Sequence, residues 1–437
     1  MRDTLSWAHA AVEAAARAGA EHAEAYLETG PSTRVTVHGG RVGVSRGDRA
    51  ESALRVWCDG RFGLYSGEDL DPVELAARAV AETRRQGVPG TAFLAGPQAE
   101  PTGIAAPSVL PEDDRTFVTR LADAVAADPG LAGWHLSAGH VRTAFRRTLV
   151  NSAGLAVEHQ ATAHDVWAWL EGSAGHVRVA CWAADAGELD ATGLAAQLAD
   201  QATDLTDDGP AAEVPSGPCT AVLSPAAAVD VVRSAGSLLR ADNVLGDLRP
   251  LADRIGRRIA GSAVSLIDDG RLPGGSRSRP FDDEGTPTGR TVLIEGGVLT
   301  GFLHTLETAH RLGLPANGKA ARTSTARLPR PMPSNLYCAA GTESEAELRE
   351  RVGTGLWITK FARPGRLVSN TGRFTALANG HWVSPHAPPR RVRRVPVTAN
   401  IFQLLRNVVA CGTDVVFAPL AGGTGAPAML VDDLVVG

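Results

Sequence analysis

Residues His304-Thr305-Leu306-Glu307-Thr308-Ala309-His310 set two imidazoles and one carboxylate at i, i+3 and i+6. On a helix that spacing holds all three within about 120°, enough for a two-histidine, one-carboxylate cation site. No fourth donor adjoins, and histidines that cap or pack a helix following a strand at Leu299–Leu303 explain the same pattern. Gly313-Leu314-Pro315-Ala316-Asn317-Gly318-Lys319-Ala320 matches a phosphate loop everywhere but its end, where Ala320 replaces the hydroxyl that would hold magnesium. It also follows an expected helix and not a strand, which removes the scaffold that nucleotide chemistry needs. The acidic run Asp282-Asp283-Glu284-Gly285 could attract calcium or magnesium, yet it lacks the alternating ligands of a calcium loop. A turn closed by Asx-type backbone bonds is expected there. Cys58, Cys181, Cys219, Cys338 and Cys411 show no C-x-x-C spacing and suit reduced thiols better than a zinc ribbon or disulfide framework. There is no Gly-x-Ser-x-Gly elbow.

The elements that must carry these residues form two stretches. Leu5–Tyr26 predicts a helix from its alanines, glutamates and helical apolar spacing. Alternating runs at Arg34–Ser45 and Glu51–Tyr65, broken at Gly39-Gly40 and Asp59-Gly60, predict antiparallel hairpins. A helix over 71–86 begins with Asp71 as N-cap and Pro72 in its first turn. A long loop over 87–110, a helix from Glu112 to Ala127, strands over 134–182 with a turn at Ser152-Ala153-Gly154, and a helix near 188–205 follow. The chain divides into a domain at 1–206, a linker at 207–218 rich in Asp, Gly and Pro, and a domain at 219–437. The second opens with the strand Thr220–Leu223, and Ser224-Pro225 starts a helix expected to reach Asn243. From Val264 onward strands and glycine turns dominate. The expected fold class is α+β, with an N-terminal lobe of helices and antiparallel strands and a β-rich C-terminal lobe.

Bulk properties exclude several function classes. A length of 437 residues, 44% hydrophobic and 21% charged, describes a globular chain with ample core. A formal charge of −5 offers no global field for nucleic acid or anionic lipid. The short cluster Arg390-Arg391-Val392-Arg393-Arg394 has no interleaved aromatic residues, so a solvated loop or subunit contact is expected. Neither an apolar leader segment nor a run of about 18 apolar residues occurs. A cytoplasmic location is expected, with no membrane or nucleic-acid partner.

Five segments in order carry a resemblance to a known family: Phe281–Thr288; Leu293–Gly301; Asn317–Asn335, ending in Pro331-Met332-Pro333-Ser334-Asn335; Ser369–Phe374; and Val436-Gly437. Together they resemble the TldD/PmbA family, whose marker positions here are Asp282, Asp283, Glu284, Gly285, Asn317, Gly318 and Asn335. The resemblance implies a two-domain subunit of that architecture. Catalytic members carry His-Glu-x-x-x-His on an earlier helix, with two metal-binding imidazoles and a glutamate base. This chain places Arg233-Ser234-Ala235-Gly236-Ser237-Leu238 there, and 226–245 contains neither His nor Glu. A protonated guanidinium cannot ligate a cation, a serine is no base at neutral pH, and leucine offers no lone pair. Arg233, Ser234 and Leu238 are therefore degenerate metal-motif positions. The family's cysteine ligand would fall near Ala421–Gly425, which has no cysteine, and Cys411-Gly412 is similar to an earlier turn of the family instead. Cys411 is expected to be a small buried residue.

What the resemblance implies is a non-catalytic TldE/PmbA-type subunit with no catalytic residue, metal or cofactor of its own. It would pair with a TldD-type subunit holding zinc or another divalent metal, and shape a chamber for small unfolded peptides or peptide-derived metabolites. Two alternatives stay open: a stand-alone enzyme with a reused cavity acting on a small molecule, and a non-enzymatic modulator or binding protein.

Overall fold

The computed structural model describes residues 3–68, 70–97, 115–183, 185–206, 213–362, 365–417 and 423–437. Helix α1 (Thr4–Arg17) starts at Asp3, whose carboxylate accepts from Ser6 N. It stops well short of the expected Tyr26 because Gly19 enters the left-handed region at φ +94° and the residues from His22 alternate in the manner of a strand. Strands β1 (His22–His38), β2 (Arg41–Cys58) and β3 (Arg61–Glu68) run antiparallel and turn at Gly39-Gly40 and Asp59-Gly60, where the sequence places the breaks. Helix α2 (Pro72–Gln86) is capped by Asp71, which accepts from Val73 N and Glu74 N. Then come β4 (Val88–Pro89), α3 (Arg115–Ala127), β5 (His135–Asn151), β6 (Ala156–Gly172), β7 (Gly175–Ala183) and α4 (Ala191–Thr206). Most of the expected loop, the expected helix start at Glu112 and linker positions 207–212 lie outside the described residues. The strands make one antiparallel sheet in the order β4-β3-β2-β1-β5-β6-β7.

The second half opens with β8 (Gly217–Leu223), α5 (Pro225–Leu238) and α6 (Ala241–Leu245). One helix to Asn243 was expected, but Arg240 turns extended at φ −75°, ψ 131°. Around it Leu303 N donates to Leu239 O and Ala241 N donates to Leu303 O, so a strand-like bridge interrupts the helix. The chain continues through β9 (Leu266–Asp269), β10 (Arg290–Glu295), β11 (Val298–Leu299), α7 (Leu306–Leu312), β12 (Ala320–Ala321), β13 (Arg330–Pro331), β14 (Leu336–Cys338) and α8 (Glu345–Arg351). It ends with β15 (Gly355–Phe361), β16 (Arg366–Val368), β17 (Arg373–Ser384), β18 (Ala387–Asn400), α9 (Ile401–Arg406), β19 (Val408–Cys411), β20 (Val416–Phe417), β21 (Thr424–Ala426) and β22 (Met429–Val436). One sheet has the order β11-β10-β9-β14-β21-β20; the other follows β15-β8-β22-β18-β17-β16, with β19 on β22. Most pairings are antiparallel, while β8–β15 and β14–β21 are parallel. The fold class is α+β.

Two compact units form, and they do not split the chain at a single point as the division at 207–218 supposed. One comprises Met1–Ala199, Arg279–Thr288 and His304–Pro331; the other holds the remaining segments. Alternation along β1 explains why two later segments join the first unit. Ala23, Ala25 and Leu27 pack with Trp7, Ala11, Leu75 and Ala79 of α1 and α2, and each large apolar side chain so buried contributes about 1.5–3 kcal/mol. Glu24, Tyr26 and Glu28 face the opposite side yet are also buried. Carboxylates out of water need partners, and residues 279–288 and 304–331 bring several of them. Among the described residues no helix is long and apolar enough to cross a membrane.

Candidate functional site

Helix α5 begins where the sequence predicts it. Ser224 caps it by accepting from Ala227 N, and Pro225 fills the first turn. It packs against β14 and β21 of one sheet and β8 and β15 of the other. Gly236 permits that approach, since a Cβ there would lie 2.2 Å from Leu336 Cδ2. The three motif positions are each committed elsewhere. Arg233 pairs with Asp230 one turn back, Ser234 Oγ donates to Asp230 O at 2.7 Å, and Leu238 is fully buried. Burial raises the Asp230 carboxyl, against the pull of Arg233. A guanidinium, a hydroxyl bound to its own helix and an alkyl chain are not a donor set for a divalent metal. These residues do not fit the ion that the motif implies.

His304, Glu307 and His310 do not converge, because α7 begins only at Leu306. Thr305 is its N-cap, in a capping box with Thr308, so His304 precedes the helix. His304 is buried, its ring lies 3.5 Å from Thr308 Oγ1, and burial lowers it to about 4. Glu307 pairs with Arg311 at 3.3 Å on the exposed face. The His310 ring packs tilted against Phe93, with centroids 4.9 Å apart. Among the described residues no three His, Cys, Asp or Glu side chains are grouped to hold a metal ion.

The acidic turn is instead a structural hub. Asp282 Oδ1 accepts from Glu284 N and Thr286 N, both at 2.9 Å, which is the expected Asx-type turn. Its Oδ2 accepts from Ala320 N at 2.9 Å. Asp283 accepts from Arg322 N at 2.7 Å and from Arg279 Nη1 at 2.8 Å. Glu284 Oε2 accepts from Leu306 N at 2.8 Å. Asn317 Oδ1 accepts from His304 N at 3.1 Å, and Lys319 is buried. Gly285 and Gly318 both hold positive φ. Asn335 belongs to the other unit, where it accepts from Arg277 N at 3.0 Å and donates to Asp269 O at 2.7 Å. A Cβ at Gly318 would sit 2.3 Å from Pro287 O. Gly318→Ala is therefore expected to cost about 2 kcal/mol through left-handed strain and a backbone clash, read as a lowered urea midpoint. An unchanged midpoint would show that the loop can move away.

Sequence reasoning missed the partners of this hub. Arg55 lies across from Glu24, and Arg147 across from Glu28, in the register of β1 with β2 and β5. Arg55 Nη2 is 2.8 Å and Arg322 Nη2 3.2 Å from Glu24 Oε1, while Arg147 Nε is 2.9 Å from Glu28 Oε2. The available signal was a lone arginine inside the apolar run Ala53–Cys58, opposite a strand with acidic residues four apart.

The PmbA/TldA metallopeptidase C-terminal domain profile matches residues 216–437. A metalloprotease of Archaeoglobus fulgidus is 34% identical over 221 residues, 50% of this chain and 51% of its own length. The metalloprotease PmbA of Escherichia coli O157:H7 is 30% identical over 165 residues, 38% of this chain and 34% of its own. The chain spans about half the length or less of the curated relatives it matches. TldE from Thermococcus kodakarensis has a similar fold, with TM-score 0.80 over 98% of both chains at 17% identity.

Proposed function

Because the chain belongs to the PmbA/TldD metallopeptidase family, we propose that it is the non-catalytic, TldE/PmbA-type subunit of a two-component metallopeptidase. The observation that carries this reading is the donor set on α5. By the sequence resemblance, Arg233, Ser234 and Leu238 of α5 fall where a peptidase of this family would need ligands and a base. Arg233 and Asp230 also neutralise each other across one helical turn, so the helix presents neither a free base nor an anionic cradle. The metal, zinc or another divalent ion, belongs in this proposal to a TldD-type partner. This chain supplies the walls that admit and orient unfolded peptides or peptide-derived metabolites in the cytoplasm. The association would bury about 2,000 Å² or more, as permanent hetero-complexes do.

Metal content and peptidase activity, measured on the chain alone and after co-expression with a TldD-type subunit, test the proposal. Metal and activity are expected only in the co-purified complex, at about one ion per pair. Arg233→His alone is expected to take up no metal at micromolar concentration, since one imidazole is not a site. Stoichiometric metal in the isolated chain would overturn the reading. Turnover of a small molecule by the chain alone would favour a stand-alone enzyme instead.

A further inference from the structure

Two of the five cysteines face each other inside the second unit. Cys338 ends β14 and Cys411 ends β19; both are buried, and their sulfurs are 3.9 Å apart. All five cysteines are free thiols in the structure. We propose that Cys338 and Cys411 form a peroxide-oxidisable dithiol, closing reversibly to a disulfide that staples the six-stranded sheet to β19.

The backbone around the pair is already tied in place. Gly341 N donates to Gly412 O at 2.7 Å, Thr413 N to Glu343 O at 2.9 Å, and Ala339 N to Ser265 O at 2.9 Å. Gly341 lies so close that a Cβ on it would fall 2.0 Å from Cys411 O. Reaching a disulfide bond length of about 2.05 Å asks the two sulfurs, now 3.9 Å apart, to close by roughly 2 Å.

The chemistry also separates the pair from the other thiols. The Cys338 hydrogen bond to the Cys411 sulfur lowers the Cys411 thiol against the opposing effect of burial. The same bond and burial raise Cys338. Cys181 and Cys219 are both pushed up to about 11 by burial, and burial raises Cys58 as well. The thiolate is the nucleophile, so Cys411 is the attacking sulfur. Its thiolate displaces hydroxide from hydrogen peroxide and becomes a sulfenic acid. The Cys338 sulfur then attacks the Cys411 sulfur, the S–O bond breaks and water leaves. In net terms two thiols give up two protons and two electrons to one hydrogen peroxide, which becomes two waters.

The test exposes the natively folded full chain to hydrogen peroxide, then alkylates under denaturing conditions and maps the peptides. Two of the five thiols should disappear together, in a peptide linking Cys338 to Cys411 that dithiothreitol reverses. Cys338→Ser should leave Cys411 as a sulfenic acid that dimedone traps. Cys411→Ser should slow oxidation of Cys338 about tenfold or more. Five alkylatable thiols after peroxide treatment of the folded wild-type chain would overturn the inference. So would a Cys338–Cys411 link appearing only in unfolded protein, or prior oxidation of Cys181 or Cys219. The wild-type peptide map decides the matter even where a serine variant folds poorly.

Discussion

Arg55→Met is expected to destabilise the chain by about 3–5 kcal/mol, because it removes one member of a buried ion network and leaves the others uncompensated. The Arg55 side chain is 8% exposed, Glu24 0% and Glu284 5%. Its Nε and Nη2 both reach Glu24 Oε1, at 2.9 and 2.8 Å, and its Nη1 lies 3.7 Å from Glu284 Oε1. Among the described residues Glu24 Oε2 has no hydrogen-bond partner, so the carboxylate already depends on few contacts. Arg322, at 3.2 Å, remains to soften the loss, which is why the expected figure stays within the range for one broken pair. Urea unfolding gives the measurement, with Arg85→Met as the exposed control. Arg85 pairs with Glu82 on the surface of α2, and its loss should change stability by less than about 1 kcal/mol. Adding Glu24→Leu to Arg55→Met should recover part of the stability, since a buried pair replaced by apolar groups no longer leaves a stranded charge. Equal small effects of Arg55→Met and Arg85→Met would mean that water reaches the network.

Features set by nearby residues were legible in the sequence, and those set by strand register were not. Asp71 with Pro72, Gly39-Gly40 and Asp59-Gly60 state their caps and turns locally, and the structure places α2 and both hairpin turns there. The turn at Asp282 could be read because an Asx bond reaches only two to four residues along the chain. In contrast, Arg55 meets Glu24 only once β1 and β2 are paired, and Arg322 reaches it across 298 residues. The alanines of α1 extend the helical pattern past the point where Gly19 stops the helix. The sequence pattern sets His304 on a helix, because the capping box uses Thr308 where Glu or Gln is the usual signal. That one-residue fact removes a histidine from the face it would have shared with Glu307 and His310.

Glu284 should make wild-type stability fall as pH rises from about 5 to about 9, and Glu284→Gln should flatten that fall. Burial pushes the Glu284 carboxyl up to about 8; Arg55 opposes this, Asp282 adds to it, the Leu306 N–H opposes it, and Glu24 adds to it. Asp282 is pushed up to about 6, again chiefly by burial. A carboxyl raised in the folded state holds its proton more tightly there than in the unfolded chain. Its contribution is fully present below the ordinary value of 4.5 and is lost as pH rises through about 8. At about 1.4 kcal/mol per unit the loss is on the order of 4 kcal/mol. Glutamine keeps an acceptor for Leu306 N and does not ionise. The variant should therefore match wild type near pH 5 and exceed it near pH 9. Asp283 titrates with the opposite sign, being lowered by Arg279 and Arg147 against its burial, and the lowered His304 also favours folding as pH rises. The difference between variant and wild-type urea midpoints, and not either profile alone, isolates Glu284. Parallel profiles would show that Arg55 holds Glu284 ionised throughout. Arg55→Met supplies the complementary arm: without the guanidinium, Glu284 should keep its proton to still higher pH. The penalty of that substitution should then be smaller in acid than in base.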